Sequence, residues 1–311
     1  MKNITEWLRQ WAGAGRGFKR AGCVAVAGVL LWGSMEVDAG VGFPKRDGHV
    51  EAQLISETPS AAAGQSLTVG LRLAMDEGWH TYWQNPGESG QPTAIAWQLP
   101  EGFVAHPIEW PAPTYFEVAG LASFAYEGEI VLPMRIEVPA DFDQPRVTLR
   151  ATADWLVCRE VCEPGEVMLT LTVPVVDKDA AEAVRPDPRW AELFAWAAAR
   201  QPEELEASRI AAAFENDRYR LELNSVSALP PDHDDAEVRF FPRDARTLAM
   251  SAPQEVASAS GSETLAITLE PHPNYPAAER LQGVLVIRFK RGDVFSVYQI
   301  DQPIRGVAGR G

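Results

Sequence analysis

Ser66-Leu67-Thr68-Val69-Gly70-Leu71-Arg72-Leu73-Ala74-Met75 is the stretch whose reading decides the fold class. Leu67, Val69, Leu71, Leu73 and Met75 recur at every second position, with small or polar residues between them. Strand side chains alternate between two faces, so this spacing describes a strand with one buried face. Similar short runs occur at 50–56, 79–83, 93–99, 130–138, 147–155 and 168–173. Asn85-Pro86-Gly87 and Pro111-Ala112-Pro113 punctuate them as turns. Many short strands broken by Gly and Pro predict an antiparallel sandwich, and helical periodicity is absent here.

One helix follows. Asp187 is placed to cap it, Pro188 suits its first position, and Trp190, Leu193, Phe194 and Ala197 fall at helical spacing. Pro202 ends it, and its apolar stripe is expected to pack on a sandwich. Strand patterns return at 219–223, 237–241, 265–269, 283–289 and 295–300, with exposed loops expected at 230–235 and 258–262. The expected organisation is a signal peptide at 1–39, a β domain at 40–180, a helical linker at 181–206 and a second, smaller β domain at 207–311.

The first 39 residues have the order of a cleavable secretory signal. A basic segment with Lys2, Arg9, Arg16, Lys19 and Arg20 precedes an apolar run from 21 to 32, and Val37-Asp38-Ala39 offers small residues for cleavage. That run is twelve residues long, well short of the roughly twenty needed to span a bilayer. Cys23 is expected to leave with it. Export to the periplasm, with no stable membrane insertion, is the expectation. Losing five basic and three acidic residues takes the formal charge from −15 to −17. Such a balance argues against nucleic acid or an anionic lipid surface as partner, since both call for a basic patch.

Two cysteines then remain, four positions apart, in Trp155-Leu156-Val157-Cys158-Arg159-Glu160-Val161-Cys162-Glu163-Pro164-Gly165. Small secreted folds stapled by disulfides carry more cysteines than this. Pro164-Gly165 reads as a turn before the next strand, so both cysteines are expected where a strand gives way to a loop. Residues four apart on an extended chain lie about 13 Å apart, so the segment must fold back before the sulfurs can meet. A staple here would close a loop worth only about 2 kcal/mol, against about 4–5 for a hundred-residue loop. A metal site would need further ligands, and no other His or Cys lies within twenty residues. A reachable pair in a short loop suits thiol–disulfide exchange. Exchange, staple and metal all remain open on residue chemistry. Arg159 favours a thiolate while Glu160 and Glu163 oppose it, and no helix start follows Cys158, so a modest nucleophile is expected.

Gly78-Trp79-His80-Thr81-Tyr82-Trp83-Gln84-Asn85-Pro86-Gly87, Trp110-Pro111-Ala112-Pro113, Tyr126-Glu127-Gly128 and Trp155-Leu156-Val157-Cys158 with Cys162 occur here in that order. The series resembles the amino-terminal periplasmic domain of the DsbD/ScsB thiol:disulfide interchange proteins. The likeness is firm over 45–175 and looser to 311 through Phe240-Phe241-Pro242 and Leu281-Gln282-Gly283-Val284-Leu285. It implies a mainly β chain, with an immunoglobulin-like antiparallel sandwich, a linker helix and a second smaller β domain. It also implies Cys158 and Cys162 as the redox pair of a protein-disulfide reductase component, without cofactor or metal. A membrane thiol–disulfide reductase would donate electrons, and periplasmic thioredoxin-fold proteins would accept them. The three-residue spacing resembles the ScsB-like branch, so substrates of the better-known branch are not implied. Family members shield the pair with an aromatic cap loop, and Tyr115, Phe116 and Phe124 lie in the matching region. Membrane and thioredoxin-like domains do not follow in this sequence, so either the electron source is a separate polypeptide or the domain has lost its redox role. The alternative is a non-catalytic two-domain β protein that binds a partner, with the pair as a structural disulfide.

Other candidates are weaker. Trp79, Tyr82, Trp83, Trp97, Trp110 and Trp155 read as packing, with Tyr82 and Trp155 also placed to border the cysteines. His80 and His106 are isolated, and His233 sits in an acidic run too local to wrap an ion. Gly87-Glu88-Ser89-Gly90 lacks the Gly-x-Ser-x-Gly spacing of a hydrolase elbow. No glycine pattern for phosphate or dinucleotide is present.

Overall fold

Leu67, Val69, Leu71, Leu73 and Met75 all turn inward on one strand, as their spacing predicts. The computed structural model describes residues 42–118, 120–177, 185–224, 236–258, 264–289 and 295–307, all within one compact unit, Asp38–Gly311. The expected signal peptide, Cys23, His233 and most of the two expected loops lie outside the described residues.

The first region contributes β1 (Lys45–Asp47), β2 (Val50–Ser56), β3 (Ala61–Ala62), β4 (Ser66–Met75), β5 (His80–Gly87) and β6 (Ala94–Gln98). It continues with β7 (Val104–Ala105), β8 (Thr114–Val118), β9 (Leu121–Glu127), β10 (Glu129–Glu137), β11 (Arg146–Cys158) and β12 (Cys162–Val176). One sheet runs β1-β2-β4-β10-β7; the other runs β3-β12-β11-β5-β9-β8, with β6 beside β11. Leu54, Leu71, Leu132 and Met134 from the first meet Trp83, Leu149, Trp155 and Leu171 from the second in one core. This is the expected immunoglobulin-like sandwich.

The helix α1 (Ala191–Ala198) lays Phe194 over Gly70, where a Cβ would sit 3.1 Å from the ring, and closes against Ile55 and Val131. It starts three residues later than Pro188. The Asp187 carboxylate accepts the Arg189 backbone N–H at 2.9 Å and pairs with its guanidinium at 2.6 Å. Asp187 therefore closes a turn before the helix instead of capping it.

The second region contributes β13 (Glu203–Glu204), β14 (Ile210–Glu215), β15 (Arg218–Leu223), β16 (Ala236–Pro242), β17 (Glu255–Ser258), β18 (Leu265–Leu269), β19 (Arg280–Phe289) and β20 (Phe295–Arg305). They form one sheet, β16-β19-β20-β14-β15-β18-β17, with β13 beside β20. Its near-continuous apolar run Val284-Leu285-Val286-Ile287 is explained by burial on both faces. Leu281, Leu285, Ile287 and Phe240 face the second region's own core, while Val284, Val286, Val297 and Phe241 join the core of the first. The two β regions therefore share a packed boundary.

One local reading is corrected and one hairpin is new. Pro164-Gly165 is not a turn but the third and fourth residues of β12, opposite Leu156 and Trp155. Pro164 is tolerated because β12 has no second partner there, its contact with β3 being confined to Val175 and Val176. Gly165 is needed because the Trp155 indole lies over it, 2.6 Å from where a Cβ would be. The hairpin of β8 and β9 was not apparent as alternation in the sequence, because β9 runs as consecutive buried residues from Ala122 to Tyr126.

Candidate functional site

Cys158 ends β11 and Cys162 opens β12, so the two are cross-strand partners at the closed end of the longest hairpin in the sheet. The turn is residues 159–161, where the Arg159 N–H donates to the Val161 carbonyl at 3.3 Å. Thirteen cross-strand pairs zip the hairpin shut behind it. The α-carbons come to 4.1 Å and the sulfurs are bonded to one another. The fold-back demanded by the spacing is therefore supplied by a three-residue hairpin loop.

The two sulfurs have unlike surroundings. Cys158 is 3% exposed, packed with Tyr82 and Ala125 and flanked by Phe116 and Leu156. Cys162 is exposed, next to Val161, which is itself 69% exposed. A protein reaching this site meets Cys162 first.

β5 forms the wall of the site. Thr81 donates to the Leu156 carbonyl at 3.2 Å, tying β5 to β11. On either side of it, His80 and Tyr82 face the pair. The Tyr82 hydroxyl lies 3.8 Å from Cys162 Sγ and is also hydrogen-bonded to the Ser89 side chain. Burial pushes the Tyr82 pKa up, so at neutral pH it stays a donor. Its ring lies against Gly90, where a Cβ would come within 2.4 Å and where φ is +105°. Ser89 thus supports Tyr82, a use unrelated to hydrolysis.

His80 is the cross-strand partner of Cys158 on one side and of Glu127 on the other. It is 4% exposed, stacked on Phe116 at 6.0 Å and edge-on to Tyr82 at 5.3 Å. Burial lowers its pKa, which keeps the imidazole neutral, and its Nε2 has no hydrogen-bond partner among the described residues. Reading the sequence alone, His80 was an isolated strand residue. The register that sets it beside Cys158 joins positions 78 apart, which no local pattern could disclose.

Of the three aromatic candidates for a shielding loop, Phe116 is the one against the pair. Tyr115 and Phe124 point to the opposite face of the hairpin. Of the two aromatics read as packing residues that could also border the cysteines, Tyr82 borders them, whereas Trp155 is buried in the sandwich core over Gly165. Trp79 stacks on His49 at 3.7 Å and belongs to the neighbouring turn. Arg159 lies over Gly78, and Glu163 approaches His49 at 3.9 Å, so both charges beside the pair have other neighbours. His106 pairs with Glu137 at the surface.

Comparison with known proteins agrees with this geometry. The family model described as the N-terminal domain of the thiol:disulfide interchange protein DsbD matches residues 51–174, which contain both cysteines, β5 and the β8–β9 hairpin. The crystal structure of the N-terminal periplasmic domain of ScsB from Proteus mirabilis superposes with a TM-score of 0.60 at 18% identity, covering 86% of this chain and 99% of that one. At that identity the likeness speaks for the fold, and it extends through the second β region. A protein of unknown function from Porphyromonas gingivalis W83 aligns over 82% of this chain and all of its own, at 10% identity and a TM-score of 0.25, too low to carry weight. No curated protein matches the chain. Among the described residues, no helix is long and apolar enough to cross a membrane.

Proposed function

We propose that this chain, whose residues 51–174 match the model of the DsbD N-terminal domain, relays electrons in the periplasm through Cys158 and Cys162. The family-level chemistry is thiol–disulfide interchange, and the observation that carries the relay reading is the asymmetry of the pair. An exposed Cys162 and a buried Cys158 give an incoming thiolate a single reachable sulfur.

The exchange runs in two halves. A thiolate of the donor attacks Cys162 Sγ; the Cys158–Cys162 bond breaks, and Cys158 leaves as a thiolate that takes up a proton. A second donor thiol resolves the mixed disulfide and releases Cys162 reduced, so two electrons and two protons have entered. In the second half Cys162, as thiolate, attacks an oxidised acceptor, and Cys158 resolves that mixed disulfide and re-forms the original bond. Tyr82, with its hydroxyl at 3.8 Å, is the group placed to hydrogen-bond a Cys162 thiolate. Phe116 and the buried His80 keep water from Cys158 and leave Cys162 as the point of entry. The donor would be a membrane thiol–disulfide reductase and the acceptors thioredoxin-fold proteins of the periplasm.

Trapping tests this. Cys158→Ser leaves the exposed sulfur without its resolving partner and is expected to accumulate mixed disulfides with redox proteins of the envelope. Cys162→Ser, which keeps only the buried sulfur, is expected to trap at least tenfold less on the accessibility of the attacking thiol. Absence of mixed disulfides with either variant would favour the alternative, a β-sandwich binding protein with a structural disulfide.

A further inference from the structure

The β8–β9 hairpin is a single layer of chain with a different neighbour on each face. Tyr115 pairs across it with Phe124, and Phe116 with Ser123, so alternation sends the first pair to one side and Phe116 to the other. Phe116 faces His80 and the Tyr82–Cys158 cluster. The other side meets the second β region. The Arg239 guanidinium stands 3.7 Å from the centroid of the Tyr115 ring. Phe241 meets Phe124 edge-to-face at 5.0 Å. Ser251 hydrogen-bonds Glu88, and both accept from the Ala122 N–H, at 3.2 and 2.8 Å. The same region also holds β5: Asn85 donates a buried hydrogen bond of 2.7 Å to the Pro242 carbonyl, and Trp83 packs on Phe241. β16 and the loop after it therefore grip both elements that carry the aromatic surroundings of the pair.

Arg239 is a costly way to fill that space. Its Nη1 is buried with no hydrogen-bond partner among the described residues, and burial lowers its pKa. An apolar side chain would avoid that desolvation. A cation over a ring does what an apolar side chain does not: it fixes the position of the ring face by a directional attraction.

We propose that the second β region is a brace for the cysteine site, in which Arg239 and Phe241 are positioning residues that fix the β8–β9 hairpin and so hold Phe116 over Cys158. The proposal rests on the reading of the pair as an exchange site. With the hairpin pinned from behind, Phe116 leaves the pair only when the contacts at Tyr115 and Phe124 loosen. The second region thereby sets how often the Cys158 side of the bond is uncovered, Cys162 being exposed throughout.

The test uses the oxidised full chain and the variants Arg239→Met, Tyr115→Leu and the two combined. Two rates are measured. One is reduction of the disulfide by tris(2-carboxyethyl)phosphine, which is oxidised to its oxide with oxygen from water while the two sulfurs gain two electrons and two protons. The other is amide hydrogen exchange in 114–118 and 121–127. Each single variant is expected to raise both rates roughly tenfold, the scale of a desolvated cation–π contact. The double variant should go no further than either single one, because both remove the same contact. Exchange in β11 and β12 should not change. Unchanged rates, additive effects, or acceleration spread evenly over the molecule would each overturn the brace. Should Arg239→Met fail to fold, Tyr115→Leu probes the contact from the other side. Neither readout needs a protein partner, so failure of the brace is distinct from failure of the exchange reading, which shows as absent mixed disulfides in the trapping variants.

Discussion

At Cys158 and His80 the sheet sets a sulfur and an imidazole side by side, and both are nearly inaccessible to water. A neutral buried histidine must take up a proton on unfolding in acid. Its folded pKa is lowered, so between that value and the unfolded value of about 6.5 the unfolded state binds more protons. Stability is accordingly expected to fall as pH drops below 6.5, until the folded state protonates too. His80→Phe should flatten that part of a denaturation-against-pH profile; an unchanged profile would mean His80 is not the group responsible. The paired carboxylates Asp76 and Asp187, whose pKa values are lowered by His49 and Arg46 and by Arg189, act in a more acidic range and should survive the substitution. Gly90 gives a second residue-scale expectation. Gly90→Ala both strains a positive φ and drives a methyl into the Tyr82 ring. A loss of about 1–3 kcal/mol in denaturant unfolding is expected, with a change in Tyr82's near-ultraviolet circular dichroism. Cys158 and Cys162 stand out in the sequence as candidates because their type and spacing are local. His80 stayed hidden because its role depends on a cross-strand register.

Among the elements, β4 and β11 are legible because apolar and polar residues alternate along them. β9 is not, since consecutive burial from Ala122 to Tyr126 erases the alternation. β10 and β19 show the same consecutive burial, and there the wealth of Val, Ile and Leu still marks a strand. At Pro164-Gly165 turn-type residues sit inside a strand, for reasons that lie in its neighbours: an unpartnered edge and the Trp155 ring. Gly165→Val is therefore expected to cost about 1–3 kcal/mol by displacing that ring, measurable as a lower midpoint in urea. An unaltered midpoint would mean the ring has room to move. Because β12 pairs with β11 all the way to Cys162, the hairpin that carries the disulfide is a rigid mount for it.

Across the whole molecule, the shared boundary between the two β regions could not be read from composition, since Val284, Val286 and Phe241 look like any core residues until the sheet shows which face they are on. Asn85 places a buried hydrogen bond across this boundary. Asn85→Ala leaves the Pro242 carbonyl without its buried donor, with an expected cost of about 1–3 kcal/mol. If the boundary is a true core, unfolding of the wild type followed by tryptophan fluorescence and by circular dichroism should give coincident transitions. This architecture places a half-covered disulfide at the tip of a braced sandwich, with Cys158 buried and Cys162 facing out. The claim that the bond is there to be exchanged is tested most directly by its equilibrium reduction potential against glutathione. A value above about −300 mV, within reach of cellular thiols, is predicted; a value below about −300 mV would mark the bond as a staple and contradict the account.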